Sequence, residues 1–361
     1  MAWSLVVCSR AGALLGELTD ASDRQLNFGL STQNSLSFTV RGDHPLGSYL
    51  LDGESLIKGY SKQGSAASVL RMVAEIVSAE EVASDSGATI AVTCAEACYF
   101  RLSHRVIGIT AAGWSYGTAA TPLGRHSVAI NAVLEANASA TTGVTYDGGS
   151  TSGGSMAAGP WYFKPVIEAV TDSAFASDGF DFVFDPLEPS TGNVGSLRTA
   201  TTIGTSKPEA IFEYGTGTRN VVSYKRQVTR DSLCNIAYVT PPGFPDNTTD
   251  PVAVVADAAS MAARGYFDAL IPSDLQTASA RLALANQHVN LRKAARQRIE
   301  FVPSDAAPVF TVDYSVGDTV TARAEHPANS IRFNATFRVY GATISIDAEG
   351  REQTTLTLIS D

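Results

Sequence analysis

The chain is poor in charge. Of its 361 residues, 17% are Asp, Glu, Lys or Arg, where an ordinary soluble enzyme carries roughly a quarter. The charge present leans acidic, with 36 carboxylates against 26 Lys and Arg and a formal net charge of −10. That balance excludes a generic DNA or RNA binder, because no stripe gathers the cations. Arg292, Lys293, Arg296 and Arg298 form the one local basic cluster, which reads as a helix end where the dipole favours cations. Cysteine is scarce as well. Cys8, Cys94, Cys98 and Cys234 are too few and too scattered for a disulfide scaffold, so reduced, buried thiols are expected. No apolar run approaches the ~20 residues of a bilayer-spanning helix. The start, Met1-Ala2-Trp3-Ser4-Leu5, lacks the basic opening of a signal peptide, so folding in a cytoplasm is expected.

What the chain has in quantity is small residues. Abundant Ser, Thr, Ala and Gly, with 44% hydrophobic residues overall, suit surfaces that neighbouring subunits will cover. They also suit a secreted or halotolerant protein. The length allows two to four modest domains.

Periodicity predicts strands at both ends. Leu26, Phe28 and Leu30 alternate, Ser31 to Ser35 turn, and Leu36, Phe38 and Val40 alternate back, as in a hairpin. With further strands at 56–60, 70–76 and 88–94, residues 1–105 read as a β-barrel-like docking domain. At the other end Phe310, Val312, Tyr314 and Val316 alternate, Val320 and Ala322 resume, and Ile344 and Ile346 precede the turn Asp347-Ala348-Glu349-Gly350. Leu356 and Leu358 lie on the returning strand, so 303–361 reads as a small barrel or open sheet, taken as a second β-barrel-like docking domain. Between them, 106–190 reads as mixed α/β. It has helix starts at Thr121-Pro122 and Pro165, a Gly-rich loop at 143–159 and a Phe180-Phe182-Phe184 strand. Residues 191–302 read as strands followed by helices over about 251–270, capped by Asp250, and 274–292, opened by Ser273-Asp274-Leu275-Gln276. The stripe Leu275, Ala278, Leu282, Ala285, Val289 on the second suits internal packing or packing on symmetry mates. The expected fold is therefore mainly β with an α+β middle, two small β-barrel-like domains flanking mixed α/β domains.

Four patterns carry possible chemistry. Gly113-Trp114-Ser115-Tyr116-Gly117 fits the G-x-S-x-G elbow of serine hydrolases, with His288 or His326 as later partners. That elbow belongs to alternating strands and helices, however, and this chain offers long blocks of strands. Cys94-x3-Cys98 with His104 resembles a metal cluster but lacks the second ligand pair of a structural zinc site. Asp181 and Asp185 share one side of a strand, as paired glycosidase acids or as two solvated carboxylates. The loop at 143–159 lacks the lysine and the flanking strand and helix of a phosphate cradle. Asn137-Ala138-Ser139, Asn247-Thr248-Thr249 and Asn334-Ala335-Thr336 match glycosylation acceptors but carry no weight without a secretory signal. No catalytic, cofactor-binding or metal residue is assigned.

Taken as a set, several stretches resemble the minor tail proteins of long-tailed bacteriophages, of the baseplate-hub or tail-associated type. They are Gly16-Glu17-Leu18-Thr19-Asp20-Ala21, Leu26-Asn27-Phe28, and Leu36 to Pro45 near the start. Phe212-Glu213-Tyr214-Gly215, Arg219-Asn220-Val221 and Tyr224-Lys225-Arg226 lie in the middle. Tyr314 to Val320, Arg338-Val339-Tyr340-Gly341 and Ile346 to Gly350 close the set. The resemblance implies a virion protein assembled in the host cytoplasm and placed at the tail tip. It would be a homotrimer around a DNA channel, beneath a distal tail ring. Its partners would be itself, the distal tail protein, the tape measure protein, and other minor tail or receptor-binding proteins. The genome passes through without sequence-specific contact, and an acidic wall suits that passage. The alternatives are the distal tail ring protein itself, a cell-wall hydrolase, and a carbohydrate-binding β-module.

Overall fold

The hairpin legible in the first forty residues forms, with Ser22–Gly29 antiparallel to Ser35–Arg41 and Leu26 opposite Leu36. Leu26, Leu36, Phe38 and Val40 are buried. In this computed structural model the described residues are 2–85, 87–110, 112–116, 123–139, 141–147, 155–156, 158–175, 179–190, 192–215, 219–230, 233–245, 251–273, 278–294, 296–326, 331–347 and 349–360. The Thr121-Pro122 helix start, the Asp250 cap, most of the Ser273–Gln276 capping box and much of the Gly-rich loop lie outside them. Among them, no helix is long and apolar enough to cross a membrane.

The two ends of the chain do not make two barrels. A single 13-stranded sheet contains strands from both. Its path runs Val221–Thr229, Arg296–Pro303, Glu352–Ile359, Ile331–Ile346, Ser22–Gly29, Ser35–Arg41, Gly87–Glu96, Val69–Ser84, Leu56–Lys62, Ala2–Cys8 and Leu14–Glu17. Thr319–His326 pairs with Ile331–Ile346 off this path, and Ser206–Tyr214 lies parallel to Thr319–His326. Among the described residues, no part of the sheet closes on itself. The cause is the sixteen-residue strand Ile331–Ile346, which serves two sets of neighbours. Its first half pairs with Thr319–His326, and its second half pairs with both Glu352–Ile359 and Ser22–Gly29. Where a separate barrel would have closed, Gly341 meets Gly29 and Ile344 meets Leu26. A Cβ on Gly341 would lie 2.9 Å from the Phe28 carbonyl oxygen, so a bare backbone is needed at this joint. One apolar core follows from one sheet: Leu5, Leu26, Phe38 and Ile90 belong to the same buried cluster as Phe212, Phe301, Ile344 and Leu358.

Two further corrections are local. Phe310 and Tyr314 do not sit on an alternating strand. They flank a tight turn with Thr311 at φ +70°, held by the Val309 N–H to Asp313 Oδ2 bond at 2.6 Å and the Thr311 N–H to Tyr314 carbonyl bond at 2.7 Å. Both rings enter the core, while Val312 points to solvent. The helix expected over 251–270 is a strand, Ala253–Ala256, then a short helix, Ala258–Arg264. Asp257 rather than Asp250 supplies the cap, accepting from the Ser260 N–H at 2.8 Å, and Gly265 ends the helix at φ +90°. The β-branched pair Val254-Val255 goes to the strand. The turn at Asp347 has the expected left-handed Gly350, at φ +78°.

Two smaller lobes accompany the sheet, the first of them packed against it. The first joins helices Ala97–Ser103, Arg125–Ser139 and Val166–Phe175 to a three-stranded sheet of Val144–Tyr146, Asn193–Ala200 and Asp181–Ser190. Val128, Val133, Val170, Phe182, Phe184 and Leu197 fill its core. The second has Ile236–Thr240 between Ala253–Ala256 and Asp268–Pro272, covered on one face by helix Ala278–Arg292. Of the predicted stripe on that helix, Ala285 and Val289 are buried whereas Leu282 is exposed.

Candidate interaction surfaces

Ser115 lies in the three-residue strand Trp114–Tyr116, paired with Ala158–Trp161, and is exposed. Gly113 before it is at φ +68°. The open depression beside it is lined by Gly113, Trp114, Asn131, Leu134, Glu135 and Ala138, a set with no histidine or aspartate. His288 sits in the other small lobe, with its Nδ1 3.2 Å from an Arg292 nitrogen. His326 belongs to the large sheet. The described residues therefore assemble no nucleophile, base and orienter in hydrogen-bond reach.

The cysteines separate too. Cys94 packs in the core of the large sheet and Cys98 in that of the helical lobe. Both thiols are pushed up by burial, the opposite of a thiolate ligand or nucleophile. His104 turns its Nδ1 to the Phe100 carbonyl at 2.8 Å, within its own helix turn. No cluster of three His, Cys, Asp or Glu fit to hold a metal occurs among the described residues.

Asp181 and Asp185 are structural. Asp185 takes the Arg198 guanidinium through two bonds, of 2.5 and 3.1 Å. Asp181 binds Arg338 and accepts from the Ile203 N–H at 2.8 Å, and Arg338 also donates to the Ile203 and Gly317 carbonyls. This clamp ties the helical lobe to the long strand of the sheet. The seam continues through residues that periodicity does not mark. Arg101 reaches buried Glu75 at 2.7 Å and the Gly192 carbonyl at 2.9 Å. Glu188 receives Lys58 at 3.1 Å and the Tyr60 hydroxyl at 2.7 Å. Ser31, at φ +54°, exchanges two bonds with Phe182. Glu96 sits buried in the same seam beside Asn34 at 2.8 Å, its carboxyl pushed up to about 8 by burial, with Asp185 adding to the rise and the Asn34 bond opposing it. The only sequence signal for the seam is charge at positions whose neighbours are apolar.

Of the basic cluster, Arg292 ends the last helix as the dipole argument requires, Lys293 pairs with Asp257 at 3.1 Å, and Arg298 pairs with Glu300 at 3.1 Å. Exposed apolar side chains include Val77 and Val82, Val222 and Val228, and Val254 with Leu270 on the uncovered face of the three-stranded sheet of the second lobe.

The described residues thus form a long continuous sheet with the helical lobe clamped to it. Solved tail proteins share that fold. The chain is similar along its whole length to a tail protein of Neisseria meningitidis, with a TM-score of 0.63 at 13% identity, covering 100% of this chain and 97% of that one. A 43 kDa prophage tail protein of Shewanella oneidensis gives 0.65 at 10% identity, over 99% and 98% of the two chains. A prophage tail protein of Listeria monocytogenes gives 0.58 at 9%, over 99% and 94%. No protein-family model and no curated protein sequence matches significantly.

Proposed function

We propose that this chain is a structural subunit of a phage-type tail tip, a baseplate hub formed by several copies around the channel through which DNA leaves. The observation that carries the reading is the end-to-end likeness to the Neisseria and Shewanella tail proteins. The sheet and the helical lobe clamped to it suit the role, because a hub must hold its docking faces in fixed relation while neighbours load it. In this reading three copies form a ring. A distal tail ring lies above it, and the tape measure protein and other minor tail proteins contact it. The acidic balance of −10 keeps the channel wall from adhering to DNA.

Electron microscopy of purified tail particles, with the chain located by a bound antibody fragment, tests the reading. Threefold density at the tail tip is expected. Sixfold density would assign the chain to the distal ring instead, and absence from the particle would overturn a structural role. Lytic activity lost in Ser115→Ala would move the protein to the hydrolases.

A further inference from the structure

Two stretches of sheet edge carry opposite charge. The strand Val69–Ser84 pairs on one side with Gly87–Glu96, from Ala74 to Ser84. On the other side its ladder with Leu56–Lys62 ends at Glu75. From Val77 to Ala83 that outer edge has no strand partner among the described residues. This free stretch is exposed, with Val77 at 53% and Val82 at 52%, and its charges are all acidic: Glu80 and Glu81, followed by Asp85. The end strand Val221–Thr229 pairs only with Arg296–Pro303, so its other edge is also unpartnered among the described residues. Val222 at 63% and Val228 at 52% are exposed there, and its charges are all basic: Lys225 and Arg226, followed by Arg230.

Charged side chains on an edge strand ordinarily keep other chains away. That explanation calls for charge of either sign, in any mixture, on any edge. It does not account for acids alone on one edge and bases alone on the other, nor for two exposed valines on each. We infer that the acidic edge at 77–83 of one copy adds to the basic edge at 221–229 of a second copy, continuing the sheet across the subunit boundary. The inference rests on the ring reading above and names the contact that would close it. The acidic stretch is short enough to lie wholly along the nine-residue basic strand, and one register brings Glu80 and Glu81 opposite Lys225 and Arg226 with valines flanking them. The basic side chains are held at the surface for this. Lys225 lies 3.6 Å from Glu300, and Arg226 bonds Gln297 at 3.0 Å over the face of Phe333. Because the two edges differ, the contact is heterologous, and a heterologous contact makes a ring where its rotation closes.

Charge reversal in the full-length chain tests this, with mass in solution as the readout. Glu80→Lys with Glu81→Lys, and separately Lys225→Glu with Arg226→Glu, are each expected to weaken association about tenfold or more, since like charges then face each other. The chain carrying all four reversals restores the match and should regain the ring. All four residues are exposed, so circular dichroism should show the same fold throughout. A wild-type ring indifferent to both double reversals overturns the edge contact and leaves the ring standing. A fourfold variant as weak as the double ones overturns charge matching. A wild-type chain that stays monomeric at every concentration, and is absent from the tail tip, overturns the ring reading itself.

Discussion

The large sheet and the lobe at 233–294 are stabilised by different means. The sheet is held by apolar burial drawn from both ends of the chain, with Phe38, Phe212 and Phe301 among its fully buried side chains. Among the described residues, the core cluster of the small lobe has five buried apolar members, Cys234, Ala237, Val239, Ala285 and Val289. Apolar area of that size offsets little of the backbone entropy lost on ordering such a lobe. A polar knot substitutes for it. Fully buried Asn235 donates to Ser260 Oγ at 3.3 Å and to the Gly265 carbonyl at 2.7 Å, and accepts from the Phe267 N–H at 2.9 Å. Ser260 in turn donates to the Lys293 carbonyl at 2.5 Å, and Lys293 pairs with Asp257. A core averages over many contacts, whereas a knot depends on each one. The sheet should therefore degrade as a whole, and the lobe should open alone.

The sharpest way to break this contrast is Phe301→Ala. Phe301 packs against Phe212, Tyr224 and Phe333 with ring centroids 6.1–6.3 Å apart. Its truncation is expected to cost about 3–5 kcal/mol. Hydrogen exchange is the informative measurement. With one shared core, amides of the distant Ser22–Arg41 hairpin lose protection together with those of Glu352–Ile359. Loss confined to the C-terminal strands would mean that the ends are stabilised independently.

Glu96 tests the seam between the sheet and the helical lobe. Its carboxyl holds a proton up to about pH 8 in the folded chain, against 4.5 as its ordinary value. A folded-state pKa raised in this way contributes stability that is fully present below about pH 4.5. That contribution is lost progressively as the pH rises to about 8. The wild-type chain should thus lose up to about 4–5 kcal/mol over that window at this site. Glu96→Gln keeps the acceptor for Asn34 and carries no charge to desolvate. It is expected to match the wild type near pH 4, to exceed it at pH 8, and to flatten the denaturation profile between. Parallel pH profiles for the two proteins would remove Glu96 as the titrating group.

How much of this was legible in the sequence depended on the distance between partners. The hairpin of Leu26 and Leu36, the turn ending in Gly350 and the helix after Pro165 were readable because alternation and turn chemistry are local. Strand partners are not local. Leu26 and Ile344 are neighbours across a ladder, yet each reads as part of a hairpin at its own end, so two separate barrel-like ends were expected where one shared sheet exists. Phe310 and Tyr314 alternate in sequence and point the same way, and only Asp313 binding back to Val309 shows that a turn rather than a strand achieves this. For the interaction surfaces, residue type was legible and placement was not. Lys225 and Arg226 stand out in the sequence, but nothing there says that their strand ends the sheet, or that Glu80 and Glu81 lie where a ladder has stopped.

Asn235→Ala probes the weaker region directly. The substitution removes the acceptor of the Phe267 N–H and the donor to the Gly265 carbonyl in a site closed to water. An unpaired buried polar group costs about 1–3 kcal/mol, so a total of about 2–3 kcal/mol is expected here. Backbone bonds from the Asn235 and Ile236 N–H groups to the Phe267 carbonyl survive, which keeps the loss below the sum of its parts. The cost falls on local opening. Amides of Ile236–Thr240 and Asp268–Pro272 should then exchange roughly 30- to 150-fold faster. Those of Ser35–Arg41 and Gly87–Glu96 should exchange at the wild-type rate. Equal acceleration in both regions would mean that the lobe at 233–294 opens only when the sheet does, and the distinction between core and knot would fail.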